Sequence, residues 1–229
     1  MSWKEEAKRK AALEATKHIK DGFTVGLGSG STITYALQEI GRKIKNKDLQ
    51  IYGVPTSYQT FMLAIKYGIP TTTLDEHPKL DLAIDGADQI DKNLNLIKGM
   101  GGALLREKIV AATAKQFIIV ADESKMTDRL GKNQQVPIEV LPFAFATVMS
   151  KIREMRGKPF LREGKDKVGP VITDNGNFIV DVNFGLIKNP KELENRLKSV
   201  PGIIETGLFI VSIMPGTDFS LFSSCLLYT

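Results

Sequence analysis

The sequence predicts an α/β protein: a parallel sheet flanked by helices, followed by a smaller α+β unit. Three observations carry this. From residue 1 to about residue 130, short apolar runs alternate with helix-patterned segments, the order that builds parallel sheets with crossover helices. One of those runs, "LDLAIDGAD", is apolar on both faces, as a strand buried within a parallel sheet is. Near Gly131 the alternation stops, and the turn Asp174-Asn175-Gly176-Asn177 signals a hairpin.

The elements follow in order. Glu5 to Ile19 reads as a helix, with Ala7, Ala11, Ala15 and Ile19 at i, i+4 spacing. "FTVGLG" is a strand entering a glycine-rich turn, and "TITYALQEIGRKI" is a helix with Ile33, Leu37, Ile40 and Ile44 on one stripe. "LQIYGVPT" is a second strand. "SYQTFMLAIKYG" is a helix stopped by Gly68. "IPTTTL" is a third strand and "LDLAIDGAD" a fourth. "GGALLREKIVAATA" is a helix and "QFIIVAD" a fifth strand. The second unit reads as strand and helix in "QQVPIEVLPFAFATVMSKIREM", then a hairpin in "PVITDNGNFIVDVNFG". A helix after Asn189-Pro190 and a strand, "IIETGLFI", complete it. The expected domains are therefore 1–130 and 131–205.

Composition narrows the function. The 229 residues are 42% hydrophobic and 25% charged, an ordinary globular balance. There is no 18-residue uncharged apolar run, so no transmembrane helix is expected. The N-terminal stretch is charged and lacks the apolar centre of a secretory signal. With the single cysteine, Cys225, this gives a soluble cytoplasmic protein as the expectation. The net charge of +5 comes from 31 basic against 26 acidic residues. The basic knots at Lys8–Lys10, Arg42–Lys47 and Lys151–Lys158 are scattered, with no aromatic-interleaved stripe, so no nucleic acid partner is expected. A small anionic substrate accounts for the excess equally well.

Ligands of open α/β sheets bind beyond the carboxyl ends of the strands. After the first strand comes Gly26-Leu27-Gly28-Ser29-Gly30-Ser31-Thr32. Backbone N–H groups of such a turn, with the helix N-terminus behind them, cradle a phosphate. The dinucleotide fingerprint needs a third glycine where Ser31 stands, so one small phosphate fits better. The competing structural reading makes Ser31 or Thr32 a simple helix N-cap. After "LDLAI" come Asp85-Gly86-Ala87-Asp88, two carboxylates able to bond sugar hydroxyls, or merely a turn. Lys98 precedes Gly99, Met100, Gly101 and Gly102, where backbone can approach a ligand closely. Arg106, Glu107 and Lys108 are consecutive on a helix, so they cannot share one narrow solvent stripe. Spacing alone does not say which turns inward, and a solvated cluster remains open. Lys125 follows the fifth strand, either a further cation at the same edge or an exposed loop lysine. Together these residues suit proton transfer on a small phosphorylated sugar. The two histidines, His18 and His77, and the lone cysteine offer no metal cluster and no activated nucleophile.

The motifs "GLGSGST", "VPTS", "DLAIDGADQID", "IKGMGGALLREK", "ADESKM" and "LG…VPIEVLPFA" resemble the ribose-5-phosphate isomerase family, type A, from about Trp3 to Ile210. The resemblance implies a Rossmann-like large domain with a smaller, ferredoxin-like α+β domain, the chain after about residue 206 returning to the large sheet. It implies cofactor-free isomerisation of ribose 5-phosphate and ribulose 5-phosphate through a cis-enediol(ate), in the non-oxidative pentose phosphate pathway, by a homodimer or homotetramer. On the matching positions Glu107 would be the catalytic base, Asp85 and Asp88 would bind hydroxyls and help open the ring or shuttle the hydroxyl proton, and Lys98 would stabilise the enediolate. Ser29, Gly30, Ser31 and Thr32 would hold substrate, with Gly86, Ala87, Gly99, Met100 and Gly101 lining it. Lys125 and Lys8 would add charge near the phosphate. The chain departs from the family pattern at Met100, at Ser29 and in its terminus "VSIMPGTDFSLFSSCLLYT". Two other readings compete: a sugar-phosphate sensor without catalysis, and a nicotinamide-dependent dehydrogenase. The second lacks both the third glycine and an acidic residue ending the second strand.

Overall fold

A computed structural model describes residues 2–165, 168–211, 217–223 and 227–228; Cys225 lies outside them. In chain order the elements are α1 (Trp3–Ala15), β1 (Thr24–Leu27), α2 (Ser31–Lys45), β2 (Tyr52–Pro55), α3 (Tyr58–Tyr67), β3 (Leu80–Asp85), β4 (Gln89–Asp91) and β5 (Leu96–Ile97). Then come α4 (Leu104–Thr113), β6 (Ala114–Ala121), β7 (Met126–Thr127), β8 (Val136–Val140), α5 (Phe145–Glu154), β9 (Lys158–Leu161) and β10 (Phe178–Asn183). The last are α6 (Pro190–Lys198), β11 (Ile203–Thr206), β12 (Leu208–Phe209), β13 (Asp218–Ser223) and β14 (Leu227–Tyr228).

The chain divides into two compact units. The first, residues 1–87, 106–125 and 214–229, holds a six-stranded sheet of order β14-β13-β6-β3-β1-β2. The pairings of β1 with β2 and β3, of β3 with β6, and of β6 with β13 are all parallel. The alternation of side chains along β1 makes this a three-layer structure. Val25 and Leu27 join a core with Ile33, Leu37 and Ile40 of α2 and Ala11 and Ala15 of α1. Gly26, between them, faces the opposite layer, where a Cβ would stand 2.4 Å from Val110 of α4. The flanked parallel sheet and the α2 stripe are as the sequence predicts.

The second unit, residues 88–105 and 126–213, holds two sheets, β11-β8-β10-β9 and β12-β5-β4-β7. In the first of these, β8 pairs antiparallel with β10 and β11, and β10 with β9. Its core joins Ile138 and Val140 of β8, Val180 and Val182 of β10, Val148 and Ile152 of α5 and Leu197 of α6.

Several expectations need correction. The division 1–130 and 131–205 does not hold, because β5 pairs with β12 and β4 with β7, which ties residues 88–105 to the second unit. Residues 206–211 also belong there, and the return to the large sheet is made by β13. "IPTTTL" forms an isolated bridge, Gly53 to Thr71, instead of a strand. Pro70 has no N–H to donate, and the Thr72 hydroxyl is engaged by Glu76 and His77. The arm before Asp174 bridges β10 only at Ile172; on that side β10 pairs antiparallel with β9, a strand the sequence did not signal.

Asp81 ties β3 to the start of β1. Its carboxylate accepts the Thr24 N–H at 3.0 Å and meets Lys115 Nζ at 2.8 Å. Burial pushes this carboxyl up, but Lys115 and the Thr24 N–H outweigh it and hold the group below its ordinary value. A carboxyl depressed in the folded state stabilises the fold above the ordinary carboxylate range. That contribution is lost as pH falls through the folded value. Asp81→Asn is therefore expected to lower unfolding free energy by about 1 kcal/mol at neutral pH. The gap to wild type should narrow between about pH 5 and pH 3, read by urea denaturation at each pH.

Candidate functional site

In the first unit the site is built around the carboxyl ends of β1 and β3. Gly28 N–H donates to the Ile84 carbonyl at 2.9 Å, which seats the turn after β1 on the end of β3. One residue on, Asp85 Oδ1 accepts the Ser29 N–H at 3.2 Å and the Gly86 N–H at 2.7 Å. The approach is so close that a Cβ on Gly28 would lie 2.2 Å from Asp85 Oδ1 and 2.7 Å from its Cα. Asp85 is 2% exposed, so backbone donors replace the water its charge would otherwise hold.

The Ser29 hydroxyl sits in a cluster of four. It lies 2.9 Å from Thr56 Oγ1, donates to Ser57 Oγ at 2.7 Å, and lies 3.1 Å from Thr60 Oγ1. Thr56 and Thr60 in turn donate to the carbonyls of Leu27 and Gly28. Ser29 thus anchors the turn with both its N–H and its hydroxyl. Thr56 and Ser57 follow β2 within "VPTS" but had no role expected of them, and Thr60, on the first turn of α3, was not singled out.

Gly30 is the N-cap of α2, at φ 105° and ψ 177°, a conformation open in practice only to glycine. It makes no side-chain capping bond, so neither Ser31 nor Thr32 is the simple cap of the competing reading. Ser31 and Thr32 open the helix instead, beside its N–H donors and positive dipole end. Lys8, from α1, donates to Ser31 Oγ at 3.1 Å, which brings the expected extra cation to this turn. Lys125 is half-buried at the end of a short 3-10 turn after β6. Buried Asp122 shapes that turn by accepting the Ser124 N–H at 3.0 Å and the Ser124 hydroxyl.

On α4 the structure decides among the three consecutive charges. Glu107 is 6% exposed and Lys108 8%. Arg106 lies over the Tyr58 ring, 5.1 Å from its centroid. A solvated cluster is therefore not what forms, and Glu107, on the first turn of α4, is a buried carboxylate.

The second unit carries Asp88 and the loop from Lys98 to Gly102. Asp88 N–H donates to the Ile97 carbonyl at 2.9 Å, and its Oδ2 accepts the Met100 N–H at 3.0 Å. Lys98 N–H donates to the Gly207 carbonyl at 2.8 Å. The Lys98 side chain is 3% exposed, its ammonium 5.5 Å from the Phe209 ring centroid. Arg162 Nη1 donates at 2.9 Å to the carbonyls of both Gly99 and Met100. Its Nε donates to Asp181 Oδ2 at 2.7 Å and its Nη2 to Asp181 Oδ1. Neither Arg162 nor Asp181 was singled out from the sequence. Among the described residues, no group of three or more His, Cys, Asp and Glu stands ready to hold a metal ion, and no helix is long and apolar enough to cross a membrane.

Comparison with known proteins adds to this geometry. The family model for ribose 5-phosphate isomerase A (phosphoriboisomerase A) matches residues 52–215. Ribose-5-phosphate isomerase A of Methanosarcina acetivorans is 55% identical over 202 residues, 88% of this chain and 86% of its own length. The structure of ribose 5-phosphate isomerase A from Methanocaldococcus jannaschii has a TM-score of 0.91 at 41% identity, covering 98% of this chain and 97% of its own. A structure of D-ribose-5-phosphate isomerase in complex with phospho-erythronic acid also scores 0.91, at 45% identity over 97% and 96% of the two chains.

Gly28→Ala tests the seat of the turn. The added methyl meets backbone as well as the Asp85 carboxylate, so it cannot be relieved by a rotamer change. Unfolding free energy is expected to fall by about 2 kcal/mol, the middle of the overpacking range, read as a lower urea midpoint at unchanged slope.

Proposed function

The chain belongs to the ribose 5-phosphate isomerase A family, and on that premise we propose which of its residues carry the reaction. The activity is the aldose–ketose interconversion of D-ribose 5-phosphate and D-ribulose 5-phosphate. In the aldose, a base removes the proton from C2 while the carbonyl oxygen at C1 takes one up. The resulting cis-enediol(ate) loses the proton of the C2 hydroxyl and regains one at C1, leaving the ketose. No atom leaves the sugar, so the protein must move protons and hold negative charge on oxygen.

Glu107 is the base in this proposal. The observation that carries the assignment is its burial on the first turn of α4, directly after the glycine-rich loop that follows Lys98. A carboxylate away from bulk water returns the proton to the neighbouring carbon of the same substrate. Lys98, also buried, supplies the fixed positive charge that favours the enediolate over the ground state. Asp85 and Asp88 hold sugar hydroxyls. Gly86, Ala87, Gly99, Met100 and Gly101 contribute backbone to the sugar, and Ser29 holds the turn. The phosphate sits on Gly30, Ser31 and Thr32, at the α2 N-terminus, with Lys8 and Lys125 adding charge. This is supported by the absence of a side-chain cap at Gly30 and by Lys8 reaching Ser31.

One relative binds phospho-erythronic acid. That compound is a phosphorylated sugar acid whose carboxylate spreads negative charge over two oxygens, as an enediolate does. The proposal takes it as a ligand of this chain too, competing with ribose 5-phosphate. It also places the chain in the cytoplasm as a homodimer or homotetramer, to be measured by light scattering on the purified protein.

The defining experiment is ribose 5-phosphate turnover by wild type beside Glu107→Gln. The variant is expected to lose at least about 10²-fold in kcat while still binding phospho-erythronic acid. A variant that turns over as fast as wild type would remove Glu107 as the base. Ser31→Ala combined with Thr32→Ala is expected to raise KM with kcat little changed, since phosphate contacts are the same in ground and transition states.

A further inference from the structure

We propose that Arg162 is a positioning residue for the isomerase reaction. Anchored by Asp181, it grips the carbonyls of Gly99 and Met100 and thereby fixes the N–H face of the loop after Lys98. The proposal rests on the reading that this loop contacts substrate, and it deepens that reading.

The argument begins with peptide geometry. Among the described residues no peptide bond is cis. In a trans peptide the C=O of one residue and the N–H of the next point in opposite directions within one plane. The Gly99 carbonyl and the Met100 N–H share such a plane, as do the Met100 carbonyl and the Gly101 N–H. Arg162 Nη1 takes both carbonyls, each at 2.9 Å. Both N–H groups are thereby turned to the other side of the loop. The Met100 N–H duly meets Asp88 Oδ2 at 3.0 Å, one of the carboxylates proposed to hold sugar hydroxyls. The Gly101 N–H is turned the same way at an exposed position. Without the carbonyl grip, a loop this rich in glycine has several ways to rotate each peptide.

The guanidinium is itself fixed. Nε and Nη2 form a two-point pair with the Asp181 carboxylate, and both side chains are largely buried, 14% and 13% exposed. Asp181 stands in β10, paired across to Pro137 of β8 and Phe160 of β9. The orientation of two loop peptides is thus referred to the middle of a four-stranded sheet. Only arginine does this, because its planar fork serves a carboxylate on one edge and two carbonyls on another. An ammonium at this position cannot reach all four acceptors.

The test compares Arg162→Lys and the double variant Arg162→Met/Asp181→Leu with wild type. The double variant removes the grip without stranding a buried charge, the kind of apolar replacement folds tolerate. Measured are kcat and KM for ribose 5-phosphate, inhibition by inorganic phosphate, and the folded fraction by circular dichroism. The expected result is a 10- to 100-fold loss of kcat per folded molecule in both variants, with phosphate inhibition unchanged. Phosphate reports the α2 turn, which Arg162 does not touch. A kcat per folded molecule within twofold of wild type in either variant overturns the proposal. So does a loss that disappears on normalising to the folded fraction, which would mark Arg162 as merely structural. Glu107→Gln in the same assay separates the two readings. If it is as active as wild type, the assignment of the base fails; if it is inactive while the Arg162 variants are not, only the positioning role fails.

Discussion

The Asp85 carboxylate, pressed against the turn after β1, is the contact on which the first unit's site depends. A buried carboxylate needs donors, and the backbone N–H groups of Ser29 and Gly86 supply two. For the turn to come near enough to donate, position 28 must have no side chain. For it to swing from there into α2, position 30 must adopt a conformation that only glycine reaches. Asp85, Gly28 and Gly30 therefore form one requirement. Because the carboxylate ends β3 and the turn ends β1, two adjacent strands of a parallel sheet deliver the pieces of the site to one edge.

Much of this was legible because it is local. A glycine-rich run after an apolar strand, a hydroxyl pair at a helix start and an aspartate closing a strand are all neighbours in sequence. So is the α2 stripe of Ile33, Leu37 and Ile40. What escaped the sequence was non-local. Strand β9, "KPFL", carries a lysine and a proline, has no period-two pattern, and finds its partner β10 only after a long connection. The pairing of β5 with β12 joins distant parts of the chain and moves the domain division away from the composition change at Gly131. "IPTTTL" misled in the other direction: its β-branched threonines suggest a strand, but Pro70 and the Thr72 turn leave a single bridge.

The same distinction runs through the site. Glu107 could be found as a candidate but not oriented, since three consecutive charges look alike in a sequence and differ only once α4 is laid on the sheet. Arg162 was invisible because an arginine beside a glutamate and a glycine, in "LREG", is what a surface loop also contains. Its partners are main-chain carbonyls, and no side-chain pattern advertises those. Thr56 and Ser57 were visible in "VPTS" just past β2, but uncharged side chains in that motif do not announce that they close, with Thr60 of α3, on Ser29.

That lack of charge has a consequence of its own. The four hydroxyls of Ser29, Thr56, Ser57 and Thr60 keep their protons across the whole range in which carboxylates and lysines titrate. The hydroxyl part of the frame that holds the turn is therefore indifferent to acidity, while Asp85, which holds the same turn through the Ser29 N–H, is a carboxylate and is not. The turn thus has one anchor that responds to pH and one that does not. A pH–rate profile of this chain then reports the ionisation of Asp85 together with that of its reacting groups, with no contribution from the hydroxyl cluster beneath the turn.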